Sequence, residues 1–514
     1  MSTIFFALPD SGNWLVHIIA WLVKITSSVG FGVILFTLLL KLITLPFDFL
    51  SRASMRKNSL KMEEMRPELE RLQKQYANDK NLYNQKMMAL YKKNGYSMWG
   101  SCLPTILTLV IFIVAINGFN RYSQFSNQSY FYNMTQSYNQ VIYDGFNEVE
   151  EYVTKDANGD VVLDVEKLYA LTGGVDGDHN YTDANGSNLV VNHRDTGSKS
   201  ENGVNEKYAN LTVKTDGYMD VSFDLTIKEE NATITYHPGN YKYQAKDSYL
   251  SGNTEIFYKE TVESNAVNYD DFRTAEINRI LAEDPTAGVD VNKIANDFIK
   301  NVCEYQAAET YRAEQDSFLW IKNIWASDIP WKHPVAKDAA EFNKINRTNI
   351  GNDEYAALTA KLSYEKTQAN GYLILVVLTV ATSFLSQWIT TRSQKAQMEL
   401  QTVDGQGMQT QKMMMWMMPI MMAVFAFIYT SAFAIYIILS SVLGLATTLL
   451  INLIVDRKYK SKSGKTEVVR SKVHTPKVEP KKKEEKKKGG LFAKKEEPAK
   501  KDFLSGLADK KKRK

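Results

Sequence analysis

A lysine lies inside one of the most apolar stretches of the chain. The run Gly30–Leu50 (GFGVILFTLLLKLITLPFDFL) holds Lys41 near its centre. A cation at the centre of a membrane-spanning helix costs about 3 kcal/mol on insertion scales, so such residues usually face a bundle interior or a water-filled cavity. The alternative is that the long side chain reaches an interface. The central position favours a functional cation, with Thr37, Thr44 and Leu45 on the same helix face.

The residues available to pair with Lys41 bear on its chemistry. A buried charge in a proton relay or ion-coupled transporter is normally paired with an opposite charge. The other apolar runs offer no obvious acidic partner, and their polar side chains, such as Thr108, Asn117, Gln387, Ser440 and Ser441, are neutral. We therefore expect Lys41 to be unpaired. One unpaired cation fits a hydrated groove in which a visiting acidic side chain supplies the counter-charge.

Five runs almost free of charge define the elements that would hold this groove. Each is roughly as long as the ~20 residues with which a helix crosses hydrocarbon. They are Gly30–Leu50, Trp99–Phe119, Gly371–Thr391, Met413–Thr430 and Ala432–Val455. The sequence therefore predicts an α-helical integral membrane protein with a five-helix transmembrane core.

The charge of the connecting segments predicts which side of the membrane each one occupies. Residues 52–93 contain 11 Lys/Arg and 5 Asp/Glu, residues 119–370 contain 23 and 40, and residues 456–514 contain 23 and 9. Short basic loops stay in the cytoplasm, whereas long domains cross largely regardless of charge. We therefore expect the N-terminus outside and the C-terminus in the cytoplasm. Since the first 23 residues hold no Lys or Arg, no cleavable signal peptide is expected.

The predicted segments follow from these boundaries. The helix Asn13–Ser28, with Trp14 and Trp21, is expected to lie in the outer interface, and a sixth span is the alternative. In chain order the segments are an outer segment 1–29, the first span 30–50, a cytoplasmic helical hairpin 51–97, the second span 98–119, an extracytoplasmic insertion 120–315, an extracytoplasmic connection 316–370, the third span 371–391, a cytoplasmic loop 392–412, the fourth and fifth spans 413–455 and a tail 456–514.

Methionine is concentrated in the hairpin and at the start of the fourth span, where residues 412–422 read KMMMWMMPIMM. Unbranched thioethers pack around varied apolar shapes, which suits promiscuous binding of apolar segments. Ordinary gap-filling in a helix bundle is the alternative. Candidate contact residues in the hairpin are Met62, Met65, Pro67, Met87 and Met88.

The sequence pattern of the insertion predicts a small β-containing (α+β) domain. Residues 205–260 alternate in polarity, with turn signals at Asp216-Gly217 and Pro238-Gly239, and 270–315 is expected to be helical. Around the strands, Asn/Asp/Gly-rich segments are expected to be loops. The spacing of acids over 156–164 resembles a calcium loop, but Val161 replaces the essential glycine, so a hairpin turn is favoured.

The remaining patterns carry no catalytic signature. Residues 463–466 (SGKT) match the last positions of a phosphate-binding loop, but Tyr459 occupies the position where that motif requires its first glycine. Cys102 and Cys303 fall on opposite sides of the predicted membrane, so no disulfide is expected. No metal spacing, cofactor motif or enzyme activity is predicted.

The Lys-rich tail is predicted to be disordered. Such cationic tails attract RNA phosphates and anionic lipid. Ribosomal RNA is the first expectation and the membrane surface the second. The contact residues would be Lys481, Lys482, Lys483, Lys511, Lys512 and Arg513.

Several motifs, in order, resemble the YidC/Oxa/Alb membrane insertase family. In GFGVILFTLLLKLITLP, Thr37, Leu45 and Pro46 match the family's first core helix, and Lys41 occupies the position of its arginine. Further matches are Pro67, Tyr76 and Leu90-Tyr91-Lys92 in the hairpin, GSCLP at 100–104, FLWIKNIWASD at 318–328, Gln387, Met414–Pro419 and Ile435-Tyr436.

The chain also departs from the family pattern. Lysine in place of arginine keeps the charge but loses the planar fork. The usual Asn-Pro is Ser97-Met98, an expected Gln and Pro are Thr108 and Val110, and an expected Gly and aromatic are Ala432 and Ile437. The long outer insertion lies outside the ordinary family plan.

The resemblance implies a bacterial plasma-membrane insertase and chaperone. Its groove would be open to the cytoplasm and lipid, lined by Lys41, Thr37, Gln387, Tyr436 and Ser440. Implied partners are nascent membrane proteins and the ribosome, and action beside the Sec translocase is left open. The alternative is a transporter or channel component with Lys41 as an anion site, although the halves show no inverted repeat. A membrane-anchored outer enzyme or adhesin is a third reading.

Overall fold

The computed structural model describes residues 3–95, 99–146, 152–155, 161–182, 184, 186–201, 203–252, 268–393 and 406–470. The chain divides into two units, Met1–Arg457 and Lys458–Lys514, and the architecture below belongs to the first. The described part is mostly helical. A six-stranded antiparallel sheet lies between the helices of the second and third predicted spans.

The helices are α1 (Trp14–Thr26), α2 (Val29–Gln75), α3 (Lys80–Lys93), α4 (Trp99–Tyr143), α5 (Val165–Thr172), α6 (Asp247–Leu250), α7 (Tyr269–Glu283), α8 (Val291–Glu314), α9 (Ala339–Asn346), α10 (Asn352–Leu358), α11 (Ile374–Ser393), α12 (Gln406–Ile428) and α13 (Ser431–Arg470). The strands are β1 (Val153–Lys155), β2 (Val161–Leu163), β3 (Gly177–Thr182), β4 (Asn188–Glu201), β5 (Val204–Thr215), β6 (Met219–Glu230), β7 (Thr233–Pro238) and β8 (Lys242–Ala245).

Among the described residues, three helices are long and apolar enough to cross a membrane: Val29–Gln75, Ile374–Arg392 and Ser431–Arg457. Two shorter apolar helices are Trp14–Thr26 and Pro419–Ile428. All five predicted spans are helical over most of their length. The chain is therefore a membrane protein, and the count of five crossings stays a prediction.

Helix α2 runs without a break from the first predicted span into the predicted hairpin. The prediction of a separate polar helix after Leu50 was therefore wrong, since both parts belong to one helix, while the end of the span at Leu50 stays a prediction. Pro46 and Pro67 lie inside it. Proline removes a backbone hydrogen bond and usually kinks or breaks a helix, yet neither proline ends α2.

The helical hairpin itself is confirmed. Helix α3 begins after a turn at 76–79, where the Asp79 carboxylate accepts a hydrogen bond from the amide of Leu82 at 3.0 Å. The two arms share a small apolar core of their own, formed by Met62, Met65, Leu69, Leu90 and Tyr91, with Leu72 and Met87 against it.

Helix α4 extends far beyond the predicted end of the second span at Phe119. Its outer half packs along α8, and its buried side chains recur at helical spacing. They include Tyr130, Phe131, Met134, Tyr138 and Ile142. Helix α4 therefore continues from the second predicted span into the region that carries the sheet, and the boundary expected at 119/120 falls within α4.

The sheet confirms the β-containing insertion and enlarges it. Its order is β3-β4-β5-β6-β7, with β8 also paired to β6, and every pairing is antiparallel. The predicted turns at 216–217 and 238–239 lie at strand ends. However, β3 and β4 form where loops were predicted, because their outward positions are polar while Leu189, Val191 and His193 face the core. β1 pairs with β2 as the predicted hairpin, and its turn at 156–160 lies outside the described residues.

The connection 316–370 is folded and closes on the start of α11. The Asp328 carboxylate accepts hydrogen bonds from the amides of Tyr372 at 2.8 Å and Leu375 at 2.5 Å, and from the Trp320 indole at 3.2 Å. It thus satisfies amide donors that the first turn of a helix leaves free. Gly371 is required beside it, because a Cβ there would lie 1.8 Å from the Asp328 Oδ1 atom.

We expect Asp328→Ala to destabilise the protein by roughly 2 to 4 kcal/mol, since one buried and two partly buried donors lose their charged acceptor. Cys303 provides the readout because it is fully buried and burial raises the pKa of its thiol, so it reacts only on unfolding. The measurement is the temperature at which maleimide labels Cys303 in detergent micelles, in a Cys102→Ser background. Asp353→Ala, at an exposed position, is the matched control. Equal labelling temperatures for the two variants would contradict this role of Asp328.

Candidate functional site

The interior face of α2 places three charged side chains in line. Lys41 and Asp48 are seven residues apart, which is two helical turns, and Arg52 follows Asp48 by one turn. The opposite face is apolar and exposed, with Leu42 at 69% and Ile43 at 61%. Such exposed apolar side chains on a spanning helix suit contact with lipid, so the charges point into the bundle.

A cavity of about 400 Å³ lies against these charges. Five helices contribute to its wall. The lining residues are Lys41, Thr44, Asp48 and Arg52 from α2, Ile111 and Phe112 from α4, Ser383, Ser386 and Gln387 from α11, Met421 and Met422 from α12, and Tyr436, Ile437, Ser440, Ser441 and Gly444 from α13. The wall of the cavity therefore combines three charged and several polar side chains with apolar ones.

Lys41 has an acidic partner in the cavity. Its Nζ atom lies 3.5 Å from Asp48 Oδ2, and the two side chains are 24% and 9% exposed. The prediction of an unpaired Lys41 was therefore wrong. The prediction considered acids on the other spans, whereas the partner, Asp48, lies on the same helix and inside the same apolar run as Lys41.

Arg52 is the second cation of the site, and the sequence prediction missed it. Its guanidinium donates to the Thr448 hydroxyl on α13 and interacts electrostatically with Asp48. A residue larger than glycine at 444 would come within 3.2 Å of the Arg52 Nη2 atom. Arg52 was assigned to the polar hairpin, because it follows the last apolar residue of the run. Only the unbroken α2 brings it into the site.

One helical turn beyond Arg52, α2 and α13 are joined by a bidentate ion pair. Arg56 Nε lies 2.7 Å from Asp456 Oδ1, and Arg56 Nη2 lies 2.8 Å from Asp456 Oδ2. Bidentate pairs of this kind fix geometry as well as add energy. The contact joins the middle of α2 to the middle of α13. The sequence signal for this contact was the opposite charge of Arg56 and Asp456, which follow the first and fifth apolar runs.

The other end of the cavity is filled by aromatic rings. Phe119 lies 5.5 Å from Phe36 and 5.9 Å from Tyr436, and the Tyr436 ring stacks on Phe433 at 5.6 Å. Thr37 lies at this level and is fully buried, and its hydroxyl donates to the Val33 carbonyl at 2.8 Å. These packed rings lie against the side of the cavity that Tyr436 forms.

Four of the five predicted groove residues line the cavity together: Lys41, Gln387, Tyr436 and Ser440. Thr37 does not, and that assignment needs correction, because its hydroxyl is satisfied within α2 and the side chain has no exposed surface. The predicted residues on α11 and α13 were therefore brought to the α2 cation by the packing of distant helices.

The predicted contact residues of the hairpin divide into two groups. Met62 and Met65 are 0% and 5% exposed and form the hairpin's own core. Their role as contact residues is corrected, because burial leaves them no free surface. Met88 is 47% exposed, Pro67 is exposed and Met87 is partly buried. The predicted tail residues at 481–483 and 511–513 lie outside the described residues.

Apolar helices long enough to cross a membrane, with three charged side chains at a cavity between them, define an integral membrane protein. The sequence model of the family described as "60Kd inner membrane protein" matches residues 21–153 and 298–458, more than half of the chain. The chain belongs to this family, the YidC/Oxa family of the resemblance described above. The segment between the two matched parts, 154–297, lies inside the predicted insertion.

Curated relatives carry the name "Membrane protein insertase YidC". The protein of Clostridium tetani is 36% identical over 103 residues, which are 20% of this chain and 45% of the relative. That of Jannaschia sp. is 36% identical over 108 residues, 21% and 16% of the two chains, and that of Fusobacterium nucleatum is 36% identical over 88 residues, 17% and 41%. Each match spans less than half of the relative. No solved structure matches the chain.

The cavity residues can be tested for contact with water. We expect Gln387→Cys to react with a charged methanethiosulfonate about tenfold faster than Leu385→Cys on the same helix, because thiols react as thiolates, which form in water. Leu385 is 44% exposed on the apolar side. The assay uses vesicles of the Cys102→Ser background, with Cys303 buried. Equal rates at 385 and 387 would contradict a hydrated cavity.

Proposed function

We propose that this protein is a membrane protein insertase and chaperone whose cavity is a hydrophilic groove for client segments. The observation that carries the proposal is the cluster of Lys41, Asp48 and Arg52 in a polar cavity among apolar helices. The groove holds two cations and one anion, so its net charge is positive. Membership of the family and the name of the relatives support the same activity.

The mechanism follows from the cost of moving polar groups through hydrocarbon. A client's short outer segment enters the groove, where Gln387, Ser440 and the charges replace part of its water. The polar segment then crosses a shorter apolar distance. The client's apolar helix leaves along α2 and α13 into lipid, and its burial drives release. No nucleotide, cofactor or catalytic step is involved.

The proposed orientation is that of a multi-pass protein of the bacterial plasma membrane. The hairpin and the C-terminus face the cytoplasm, and the N-terminus, the sheet domain and the segment 316–370 lie outside. The aromatic end of the cavity would then close the groove towards the outside, whereas the end at Arg52 faces the cytoplasm. Clients would therefore enter from the side on which they are synthesised.

We also propose partners for the cytoplasmic side. The exposed Met88 and Pro67 and the partly buried Met87 remain available for apolar client segments, whereas Met62 and Met65 belong to the core of the hairpin. The basic tail at 481–483 and 511–513 would contact ribosomal RNA, or lipid as the second choice. The Sec translocase is a further candidate partner.

Lys41→Ala should weaken insertion of clients with acidic outer tails about fivefold, an effect of about 1 kcal/mol for a partly exposed charge pair. Lys41→Arg should retain insertion, and Leu42→Ala on the apolar face is the matched control. The measurement is protease protection of a client translated with vesicles that contain the full-length protein. An unchanged yield with Lys41→Ala would remove the cation from the mechanism.

Crosslinking should locate the client. A photoreactive residue at Gln387 or Tyr436 is expected to capture a ribosome-bound nascent chain, because both side chains line the cavity. The same residue at Val377, which is 64% exposed on α11, is the control and should capture lipid instead. The insertase proposal fails if neither cavity position captures nascent chains.

A further inference from the structure

Asp48 is the least expected charge in the site. Its side chain is only 9% exposed, on a helix whose outer face is apolar. Transfer of a carboxylate into such surroundings is costly unless it is paired and hydrogen-bonded. A neutral side chain at this position would keep both cations and avoid that cost. The presence of the acid therefore calls for a function within the cavity.

The contact between Asp48 and Lys41 is loose. Charge-assisted hydrogen bonds usually measure 2.7–2.9 Å, whereas Lys41 Nζ and Asp48 Oδ2 are 3.5 Å apart. Among the described residues, neither side chain forms a hydrogen bond or ion pair other than this one. The ammonium group can donate to further acceptors, and the carboxylate can accept from further donors.

Asp48 also lies between two cations on one helix face. Lys41 is two turns before it, and Arg52 is one turn after it and interacts with it electrostatically. If Lys41 turns to another carboxylate, Asp48 is still next to Arg52. Arg52 is held by Thr448 on α13, so the second cation stays in place. The three groups can thus exchange partners without leaving a charge alone.

We infer that Asp48 determines the charge preference of the groove for its client segments. This inference rests on the proposed insertase function. Asp48 is an internal counter-ion that an acidic client side chain must displace from Lys41. It is also the acceptor for the ammonium, guanidinium or amide groups of client tails that have no net negative charge. The groove is therefore selective by competition and accepts a wider range of tails than a site with cations alone.

The test uses one single-spanning client whose outer tail carries two acids, one acid, no charge or one lysine. Insertion into vesicles with the full-length protein is measured by protease protection. Relative to wild type, Asp48→Asn should raise the ratio of insertion of the two-acid tail to the lysine tail by about fivefold, the lower range of typical coupling between sites. Asp48→Glu should restore the wild-type ratio, which a merely structural role would not require.

Asp48→Thr is the second neutral variant in case Asp48→Asn does not fold, and thermal labelling of Cys303 reports folding of each variant. The same rise in ratio is expected for it. In Lys41→Ala/Asp48→Asn the rise should be smaller, because the competed cation is absent. If folded Asp48→Asn and Asp48→Thr leave the ratio of two-acid to lysine-tail insertion unchanged, the inference is overturned. Insertion by the wild-type protein in the same assay would still support the proposed function. If wild-type protein inserts no client above empty vesicles, both are overturned.

Discussion

The site depends on the burial of charge in an apolar helix bundle. Lys41, Asp48 and Arg52 can lie there because each has an opposite charge or a polar group within reach, and because five helices supply a cavity instead of hydrocarbon around them. A charge in such surroundings is tolerated only when the protein replaces part of its hydration. The polar residues on α11 and α13 belong to this requirement as much as the charges on α2.

The architecture on either side of the cavity holds its helices in place. The bidentate contact between Arg56 and Asp456 joins α2 to α13 near one end, and packed aromatic rings fill the other. Outside the bundle, Asp328 binds the first turn of α11, and α4 continues as a long helix under the sheet domain. The insertion is thereby built on extensions of the core, since α8 packs directly on α4.

The sequence was informative where one physical signal dominated. Long apolar runs predicted the helices, and alternation predicted β5 and β6 with the turn between them. It failed where local signals conflicted. The change to polar residues after Leu50 suggested a separate helix, but one helix continues through Pro46 and Pro67 into the hairpin. The polar strands β3 and β4 resembled loops, since β3 is at most partly buried and β4 buries alternate residues only over its first half.

The sequence by itself determined that a cation lies inside a spanning helix, and that Gln387, Tyr436 and Ser440 were candidates to surround it. Spacing along one helix could also have paired Lys41 with Asp48, because both lie on the same face. Only the tertiary structure decided which candidates share the cavity. It excluded Thr37 by burial, added Arg52 through an unbroken helix and its contact with Thr448, and assigned Met62 and Met65 to the hairpin core. The reason is that contact between distant helices depends on how their side chains pack, which no local pattern encodes.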